Sequence, residues 1–213
     1  MWNLKILDRG YMTGYQDFVK IFGSGVFIKS KDISKKCSLP KALASLYIIP
    51  TFFRGIYYIP TPHEHSGHFI EKKQDFFTFL FNFKYGRKNW YWALSTAARY
   101  YGIEWSATKV LEIITQNNYK TIDISSKVTS LRKKKSYRSL TLAKYLASLD
   151  ISSLYIHKGT SSAFSSLKID GEMGPVCTKS QLRKDVEIFI SKVRNKQVKR
   201  VYKRILVSSK NWN

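Results

Sequence analysis

The residues of this sequence best suited to hold a ligand are cationic, and several of them lie close together. Lys31, Lys35 and Lys36 form one group, and Lys41 and Ser45 follow it after a short interval. Lysine ammonium groups bind phosphate oxygens, which position a protein on a nucleic acid without reading its sequence. Lys41 and Ser45 can also reach base edges, where lysine favours the acceptors of guanine. The grouping predicts contacts with a duplex backbone beside a face that reads bases.

The net charge also indicates a polyanionic partner. The 213 residues include 37 Lys and Arg but 14 Asp and Glu, which gives a formal net charge of +23. Such an excess repels itself in a compact fold unless a polyanion offsets it, so a nucleic acid or an anionic surface is the expected partner. A ribosome-associated protein, or a protein from a generally basic proteome, would also have such an excess of basic residues. The 44% of hydrophobic residues is too high for a disordered chain.

Further basic stretches lie far along the chain, between residues 131 and 138 and near its end. Such runs are usually solvated faces or tails, but beside a DNA-binding segment they can be a second contact with phosphates. Both interpretations stay open at this point. The first stretch contains Arg132, Lys133, Lys134, Lys135 and Arg138, and the second contains Lys192, Arg194, Lys196, Lys199, Arg200 and Lys203.

Three histidines, His63, His65 and His68, are the strongest candidates for a catalytic or metal-binding group. They resemble a degenerate form of the His-hydrophobic-His pair of rolling-circle nucleases, in which an apolar residue between the histidines is buried in a strand. Here that position is Glu64, and Ser and Gly follow, so a polar linker is the preferred interpretation. The sequence contains no phosphate-binding loop or nucleophile elbow. We therefore predict no enzyme, no cofactor and no metal site.

The remaining bulk features indicate a cytoplasmic protein. The most apolar stretch, residues 42 to 59, is interrupted by Pro50 and Arg54 and is shorter than the roughly 20 residues that span a membrane. The first residues do not form a convincing signal peptide. Cys37 and Cys177 are far apart and lack a second cysteine nearby, so neither a zinc site nor a disulfide framework is expected.

Short elements must position the first cationic group. Apolar residues at Tyr15, Phe18, Val19 and Phe22 predict one helix face, and a brief extended segment follows at residues 26 to 28. A second helix is predicted at residues 31 to 37 with Ser30 as its cap.

A third helix is predicted after Ser38, with Pro40 in its first turn. Its buried face is expected to hold three leucines, and its outer face to hold Lys41, Ala42 and Ser45. The leucines are Leu39, Leu43 and Leu46.

Two strands around a tight turn complete this region. The segments 48–53 and 56–59 flank Arg54 and Gly55, which are suited to the tip of a hairpin. Pro50 fits a strand only at an edge or a bulge, so the hairpin is expected to be irregular. Helix, short helix, helix and hairpin follow one another as in a winged helix-turn-helix, in which the third helix enters the major groove. The predicted DNA-binding residues are Ser30, Lys31, Lys35, Lys36, Ser38, Lys41, Ser45, Arg54, Arg132, Lys133, Lys134, Lys135 and Arg138.

The fold class expected overall is α+β, with a winged helix-turn-helix domain at residues 1–70 and a mixed C-terminal domain at 71–213. In the second domain, helices are predicted at residues 90–102, 108–117 and 179–191. Strands are predicted at residues 121–124 and 149–156. The aromatic residues from Trp90 to Tyr101 are interpreted as core packing rather than as a surface for stacking bases.

Two segments resemble a known family. Phe53 to Tyr58, with Arg54-Gly55 at its centre, is similar to the wing of AbiEi-type antitoxins, the transcription-regulating halves of type IV toxin–antitoxin pairs. Trp90 to Gly102 is similar to the aromatic-rich helix that begins their second domain, and the resemblance covers about residues 12 to 125. It implies a repressor that recognises inverted repeats in its own promoter. It also implies a nucleotidyltransferase-type toxin, countered without a stable complex.

Two other functions compete with this one. A nucleic-acid enzyme, such as a replication initiator or a nuclease, would use His63, His65 and His68. An RNA- or ribosome-binding module would use the basic surface. A neighbouring gene for a nucleotidyltransferase would favour the antitoxin.

Overall fold

The described residues form a mixed α/β structure with helices and two β-sheets, in agreement with the predicted α+β class. The computed structural model describes residues 14–104, 109–116, 119–165, 167–170, 174–193 and 196–211. The chain divides into two compact units. The N-terminal unit contains residues 1–72 and 127–149, and the C-terminal unit contains residues 73–126 and 150–213.

Helices and strands are interspersed along the described chain. In order they are α1 (Tyr15–Phe22), β1 (Val26–Lys29), α2 (Ser30–Ser34), α3 (Leu39–Ala44), β2 (Ile49–Pro50), β3 (Ile56–Ile59), α4 (Pro62–Gly67), α5 (Lys73–Tyr85), β4 (Trp90–Trp92), α6 (Leu94–Tyr100), β5 (Val110–Thr115), β6 (Lys120–Asp123), α7 (Ile124–Lys133), α8 (Tyr137–Ser148), β7 (Ser153–Lys158), β8 (Leu167–Asp170), β9 (Gly174–Cys177), α9 (Lys179–Phe189) and α10 (Lys196–Ser208). Short 3-10 turns occur at Ser161–Phe164 and Ser209–Asn211.

The N-terminal unit contains a three-stranded antiparallel sheet in the order β1-β3-β2. The helix predicted at 15–22 is confirmed, and the extended segment after it is β1. Pro50 lies in the two-residue strand β2 at the edge of the sheet, where its missing N–H leaves no ladder bond unmade. The hairpin is therefore present, but its first strand is much shorter than the predicted segment 48–53.

The apolar core of this sheet is formed with α1, α2 and α3. Ala42 is 3% exposed, so its predicted place on the outer face of α3 is wrong. Leu39 and Leu43 are half-buried and pack at the margin of the same cluster. A helix of six residues has a narrow buried side, and the small Ala42 side chain brings α3 close to the core. The buried cluster consists of Phe18, Ile33, Ala42, Ile48 and Ile59.

The start of α2 differs from the prediction, and the start of α3 agrees with it. Ser30 is the first residue of α2, the cap position is Lys29, and no side chain caps the helix. The Ser30 amide bonds instead to the carbonyl of Gly55, 2.9 Å away, so this end of α2 is fixed by the hairpin turn. At α3, the Ser38 side chain accepts a hydrogen bond from the Lys41 amide, as predicted.

The polar segment 63–68 lies in helix α4 (Pro62–Gly67) and at its C-terminal cap, so its interpretation as a linker is wrong. Thr61 and Glu64 form a capping box at the start of α4, with Pro62 in the first turn. Each of the two side chains accepts a hydrogen bond from the other residue's backbone, which satisfies donors that a helix start leaves open. His68 ends the helix in the left-handed conformation, with φ of +57°.

The C-terminal unit is built on a six-stranded mixed sheet in the order β6-β7-β5-β4-β9-β8. β5 is parallel to β7 and antiparallel to β4, and β4 is parallel to β9. Helices α6, α9 and α10 pack together, and α6 contacts β5. Among the large side chains of this unit, Trp90, Trp92 and Tyr202 are completely or almost completely buried.

Two predicted helices of the C-terminal unit are wrong in whole or in part. Residues 90–92 form β4, and the helix begins only at Leu94. Residues 110–115 form β5 rather than a helix, because this run of β-branched and aliphatic side chains is buried inside the sheet. Short apolar runs fit the periodicity of a helix as well as that of a strand, so the sequence alone does not distinguish the two. The predicted core packing of Trp90, Leu94 and Ala97 is confirmed.

The remaining elements match more closely. The strand predicted at 121–124 is β6, and the helix predicted at 179–191 is α9. The strand predicted at 149–156 is β7, which begins only at Ser153. No helix in the described part of the chain is both long and apolar enough to cross a membrane.

Candidate nucleic-acid interface

Helix α3 exposes the two residues predicted to read bases. Lys41 on α3 and Ser45, the residue at the C-terminal cap of this helix, are both exposed, while Ala42 faces the core. The distance from the Lys41 amide to Ser38 Oγ is 3.4 Å. Because the cap holds the first turn and Ala42 anchors the other side, both side chains are presented outward on a fixed backbone.

The lysines of the α2 region are also exposed. Ile33 is completely buried and turns the helix so that Lys31, Lys35 and Lys36 lie at the surface. Lys35 Nζ lies 3.5 Å from Asp32 Oδ1, and Lys36 Nζ lies 5.7 Å from the centre of the Phe22 ring. Exposed pairs of this kind contribute little stability, so these ammonium groups can exchange them for phosphate oxygens.

Arg54 lies at an exposed turn that is held at both sides. Thr51 Oγ1 donates a hydrogen bond of 2.9 Å to the Ile56 carbonyl, and the Ser30 amide bonds to Gly55. Gly55 has φ of +76°, a conformation that favours glycine. A Cβ atom there would also lie 3.4 Å from Ser30 Oγ. The turn that carries Arg54 is thus joined directly to the start of α2.

The basic stretch near residue 135 forms the turn between α7 and α8, which we call the basic turn (residues 131–138). Its backbone is defined by bonds from the Lys134 amide to Leu131 and from the Lys135 amide to Arg132, and Lys135 has φ of +55°. Ser136 then caps α8 by accepting a bond of 3.2 Å from the Ser139 amide. The five cationic side chains, Arg132, Lys133, Lys134, Lys135 and Arg138, are all exposed.

The basic turn belongs to the N-terminal unit, although it was expected in a C-terminal domain. Tyr145 on α8 donates a hydrogen bond of 3.0 Å to the Glu64 carbonyl, and the Ile70 amide donates one of 2.8 Å to Ser148 Oγ. On α7, Lys127 Nζ lies 6.0 Å from the centre of the Phe52 ring. This association was not evident from the sequence, because residues 73–126, which belong to the other unit, separate segment 127–149 from residues 1–72.

Glu64 holds much of this arrangement together, and sequence reasoning missed it. Its carboxylate accepts hydrogen bonds from the Tyr58 hydroxyl at 2.7 Å, the Thr61 amide at 2.8 Å and the Glu71 amide at 2.9 Å. Burial, together with the bond to Glu64, raises the pKa of Tyr58 well above its usual range. The pattern Thr-Pro-x-Glu is a capping-box signature and could have revealed the role of Glu64.

The three histidines have separate partners. His63 Nδ1 lies 3.6 Å from Glu71 Oε2, and the His65 ring stacks on Tyr15 with ring centres 3.8 Å apart. His68 Nε2 lies 3.4 Å from the Tyr137 hydroxyl. Burial lowers the pKa of His65, and the charge of His68 adds to this effect. Within the described ranges, no group of three or more His, Cys, Asp or Glu side chains is placed to hold a metal ion.

A buried polar cluster in the C-terminal unit was not predicted at all. Glu112 on β5 accepts hydrogen bonds from the Tyr202 hydroxyl at 2.5 Å and the Ser95 amide at 2.9 Å, and it lies beside His157 on β7. Asp185 on α9 accepts one of 3.0 Å from the Tyr91 hydroxyl. Burial raises the pKa of Asp185 to about 6. These residues are dispersed in sequence, so only the fold brings them together.

No protein-family model, no curated protein and no solved structure matches this chain.

Proposed function

We propose that the N-terminal unit is a winged helix-turn-helix that binds duplex DNA, with α3 in the major groove. The observation that carries the proposal is the order α1-β1-α2-α3-β2-β3 combined with a sheet ordered β1-β3-β2. In this arrangement α2 and α3 form the helix-turn-helix, and β2 and β3 form the wing. Lys41 and Ser45 contact base edges, and Arg54 at the wing contacts a phosphate or the adjacent minor groove.

The distribution of charge supports a DNA partner. Residues 127–149 contain seven lysine and arginine residues and neither Asp nor Glu. This segment belongs to the same compact unit as α2 and α3, so its cations and theirs attract one polyanion together. A single DNA-binding module buries roughly 600–1,000 Å², so a second set of phosphate contacts increases affinity substantially.

The proposed biological role is that of a cytoplasmic repressor acting as the antitoxin of a type IV toxin–antitoxin pair. Its support is the similarity of the segments around Arg54-Gly55 and Trp90–Gly102 to AbiEi-type antitoxins. In this role the protein binds inverted repeats in its own promoter, and its toxin is a nucleotidyltransferase that it counters without a stable complex.

The proposal is tested by fluorescence-anisotropy titration of the full chain with the duplex immediately upstream of its gene. A random duplex of equal length and a double-stranded RNA of the same sequence are the controls. We expect the upstream duplex to bind at least tenfold more tightly than either control at 150 mM salt. Equal affinity for RNA would favour a ribosome- or RNA-binding module. Metal-dependent cleavage of single-stranded DNA would favour an enzyme that uses His63, His65 and His68.

A further inference from the structure

The C-terminal unit contains an open cavity of about 520 Å³ that the proposed DNA interface does not use. Its volume lies within the ordinary range of small-molecule sites, about 300–1,000 Å³. β5 and β7 contribute to one side of the cavity. Phe189, Lys192 and Val193 contribute from the end of α9, and Val198 contributes from α10. A pocket above the face of a sheet and beside helices is a common setting for a ligand.

The imidazole of His157 lines this cavity. The residue is 6% exposed, and neither ring nitrogen makes a hydrogen bond to any residue that the structure describes. Its Nε2 atom lies 3.4 Å from Oε1 of Glu112, which is already bonded to the Tyr202 hydroxyl. A buried polar group without a partner is costly, so a ligand that supplies hydrogen bonds to this ring is favoured.

Aromatic rings surround this imidazole. The centre of the Phe189 ring is 4.7 Å from that of His157, and the Tyr155 and Tyr119 rings are each 6.2 Å away. Tyr119 is 72% exposed, so its ring is open to a partner. Flat π-faces of this kind stack on any base, because every base has a π-face of its own.

Two lysines complete the lining. Lys158 ends β7 and Lys192 follows α9, and both are exposed side chains that border the cavity. Lys192 Nζ lies 5.3 Å from the centre of the Phe189 ring, so the charge lies next to the aromatic wall. Two ammonium groups favour an anionic substituent on the ligand. Lysine ammonium groups bind phosphate as point charges.

We propose that this cavity binds a nucleoside monophosphate, with the base against the Tyr119 and Phe189 rings and the phosphate between Lys158 and Lys192. The edge of the base supplies hydrogen bonds to the His157 ring. An uncharged apolar ligand leaves the lysines and the imidazole unused, and inorganic phosphate leaves the aromatic wall unused. The proposal concerns the C-terminal unit alone and does not depend on DNA binding by the N-terminal unit.

The test is calorimetric titration of the full chain with AMP, GMP, CMP, UMP and inorganic phosphate. We expect at least one nucleotide to bind with one-to-one stoichiometry, and inorganic phosphate to bind at least tenfold more weakly. A 5′-phosphorylated trinucleotide distinguishes the two sources of this chemistry. Tighter binding of the trinucleotide assigns the site to the end of a strand, and weaker or equal binding assigns it to the free nucleotide.

Variants locate the binding. Tyr119→Ala should raise the Kd at least about fivefold, as expected for the loss of one stacked ring, whereas Tyr119→Phe should leave it unchanged. Lys158→Gln combined with Lys192→Gln should raise the Kd for nucleotides at least tenfold. Lys184→Gln combined with Lys179→Gln, which we call the Lys184 control, removes the same charge from two exposed lysines of α9 that do not line the cavity. These side chains are exposed, and thermal melting of each variant verifies its fold.

Three results would each overturn the proposal. They are the absence of binding by all four nucleotides, equal affinity for inorganic phosphate, and variants at Tyr119, Lys158 and Lys192 that bind as tightly as the Lys184 control. Because the titrations contain no duplex, a negative result here leaves the proposed function of the N-terminal unit unaffected.

Discussion

The backbone amide of Ser30 donates a hydrogen bond of 2.9 Å to the carbonyl oxygen of Gly55. This bond joins the first residue of α2 to the turn that carries Arg54, so α2 and the tip of the hairpin share one backbone contact. Gly55 itself has φ of +76°, a conformation that favours glycine, so the residue type at this position maintains the turn. The backbone positions of Lys31 and Arg54 are therefore coupled through this bond, which is relevant to the proposed DNA contacts of both residues.

The first prediction concerns base reading by α3. Replacing Lys41 and Ser45 together with Ala should weaken binding to the upstream duplex while leaving binding to random duplex much less affected. Each good base contact contributes about 1–3 kcal/mol of discrimination. Both side chains are exposed, and the cap from Ser38 remains, so the fold should be retained.

Anisotropy titrations of both duplexes measure the effect, with Lys20→Ala on α1 as the control for loss of one exposed positive charge. A double variant that keeps the wild-type ratio of affinities would mean that another surface reads the sequence.

The second prediction concerns the basic turn. Changing Lys133, Lys134 and Arg138 to Gln should lower affinity for specific and random duplexes alike, because phosphates carry no base identity. The slope of log K against log salt should become less steep by about 0.9 for each phosphate contact that is lost.

The matched control is a triple Gln variant of Lys88, Lys179 and Lys184, which are exposed lysines of the C-terminal unit outside both basic stretches. It removes the same total charge from the chain. If the two triple variants lowered affinity equally, net charge rather than a local contact would explain the effect.

The third prediction concerns Glu64. Removing its carboxylate leaves the Tyr58 hydroxyl and the Thr61 and Glu71 amides without their acceptor. Each partly buried donor left unpaired costs on the order of 1 kcal/mol or more, so Glu64→Ala should destabilise the N-terminal unit by about 3 kcal/mol. Glu64→Gln keeps one acceptor oxygen and should cost less.

Urea unfolding measures this change, and Glu71→Gln is the control because that side chain is exposed and pairs only with His63 among the ion pairs of the described residues. If Glu64→Ala were as stable as the control, the hydrogen bonds to Glu64 would not be what stabilises the N-terminal unit.

The fold was predictable where short signals act locally. Apolar spacing located α1, the Ser38 cap located the start of α3, and Arg54-Gly55 located the hairpin turn. β5 was not predictable, since a buried strand in a mixed sheet has no alternation that separates it from a helix. The proximity of Glu112 to His157 was not predictable either, because the strands that pair in a sheet depend on its topology. The sequence identified the residues that are candidate DNA contacts. Only the fold showed that the basic turn belongs to the N-terminal unit.

The fourth prediction concerns pH. Burial raises the pKa of Asp185 from its usual 3.8 to about 6, so the folded state binds a proton more tightly than the unfolded state does. The stability that comes from this proton is fully present below about pH 4 and is lost as the pH rises through about 6. Replacing Asp185 with Asn should remove this loss, which is on the order of 2–3 kcal/mol.

Urea unfolding at pH 4.5 and pH 7.5 measures the difference, followed by the fluorescence of the buried Trp90 and Trp92 in the same unit. Glu187→Gln, which changes an exposed carboxyl, is the control. Asp185→Asn should reduce the difference between the free energies of unfolding at pH 4.5 and pH 7.5, relative to the control. An unchanged difference would contradict this prediction.

The central claim is that the N-terminal unit binds duplex DNA through α2, α3, the Arg54 turn and the basic turn. Amide hydrogen exchange of the full chain, with and without the duplex upstream of its gene, tests this claim most directly. The account predicts slower exchange on binding at residues 29–46, 53–56 and 131–138, with little change in β4, β5 and β7. Slower exchange confined to the C-terminal unit, or the absence of any change at a saturating concentration of duplex, would contradict it.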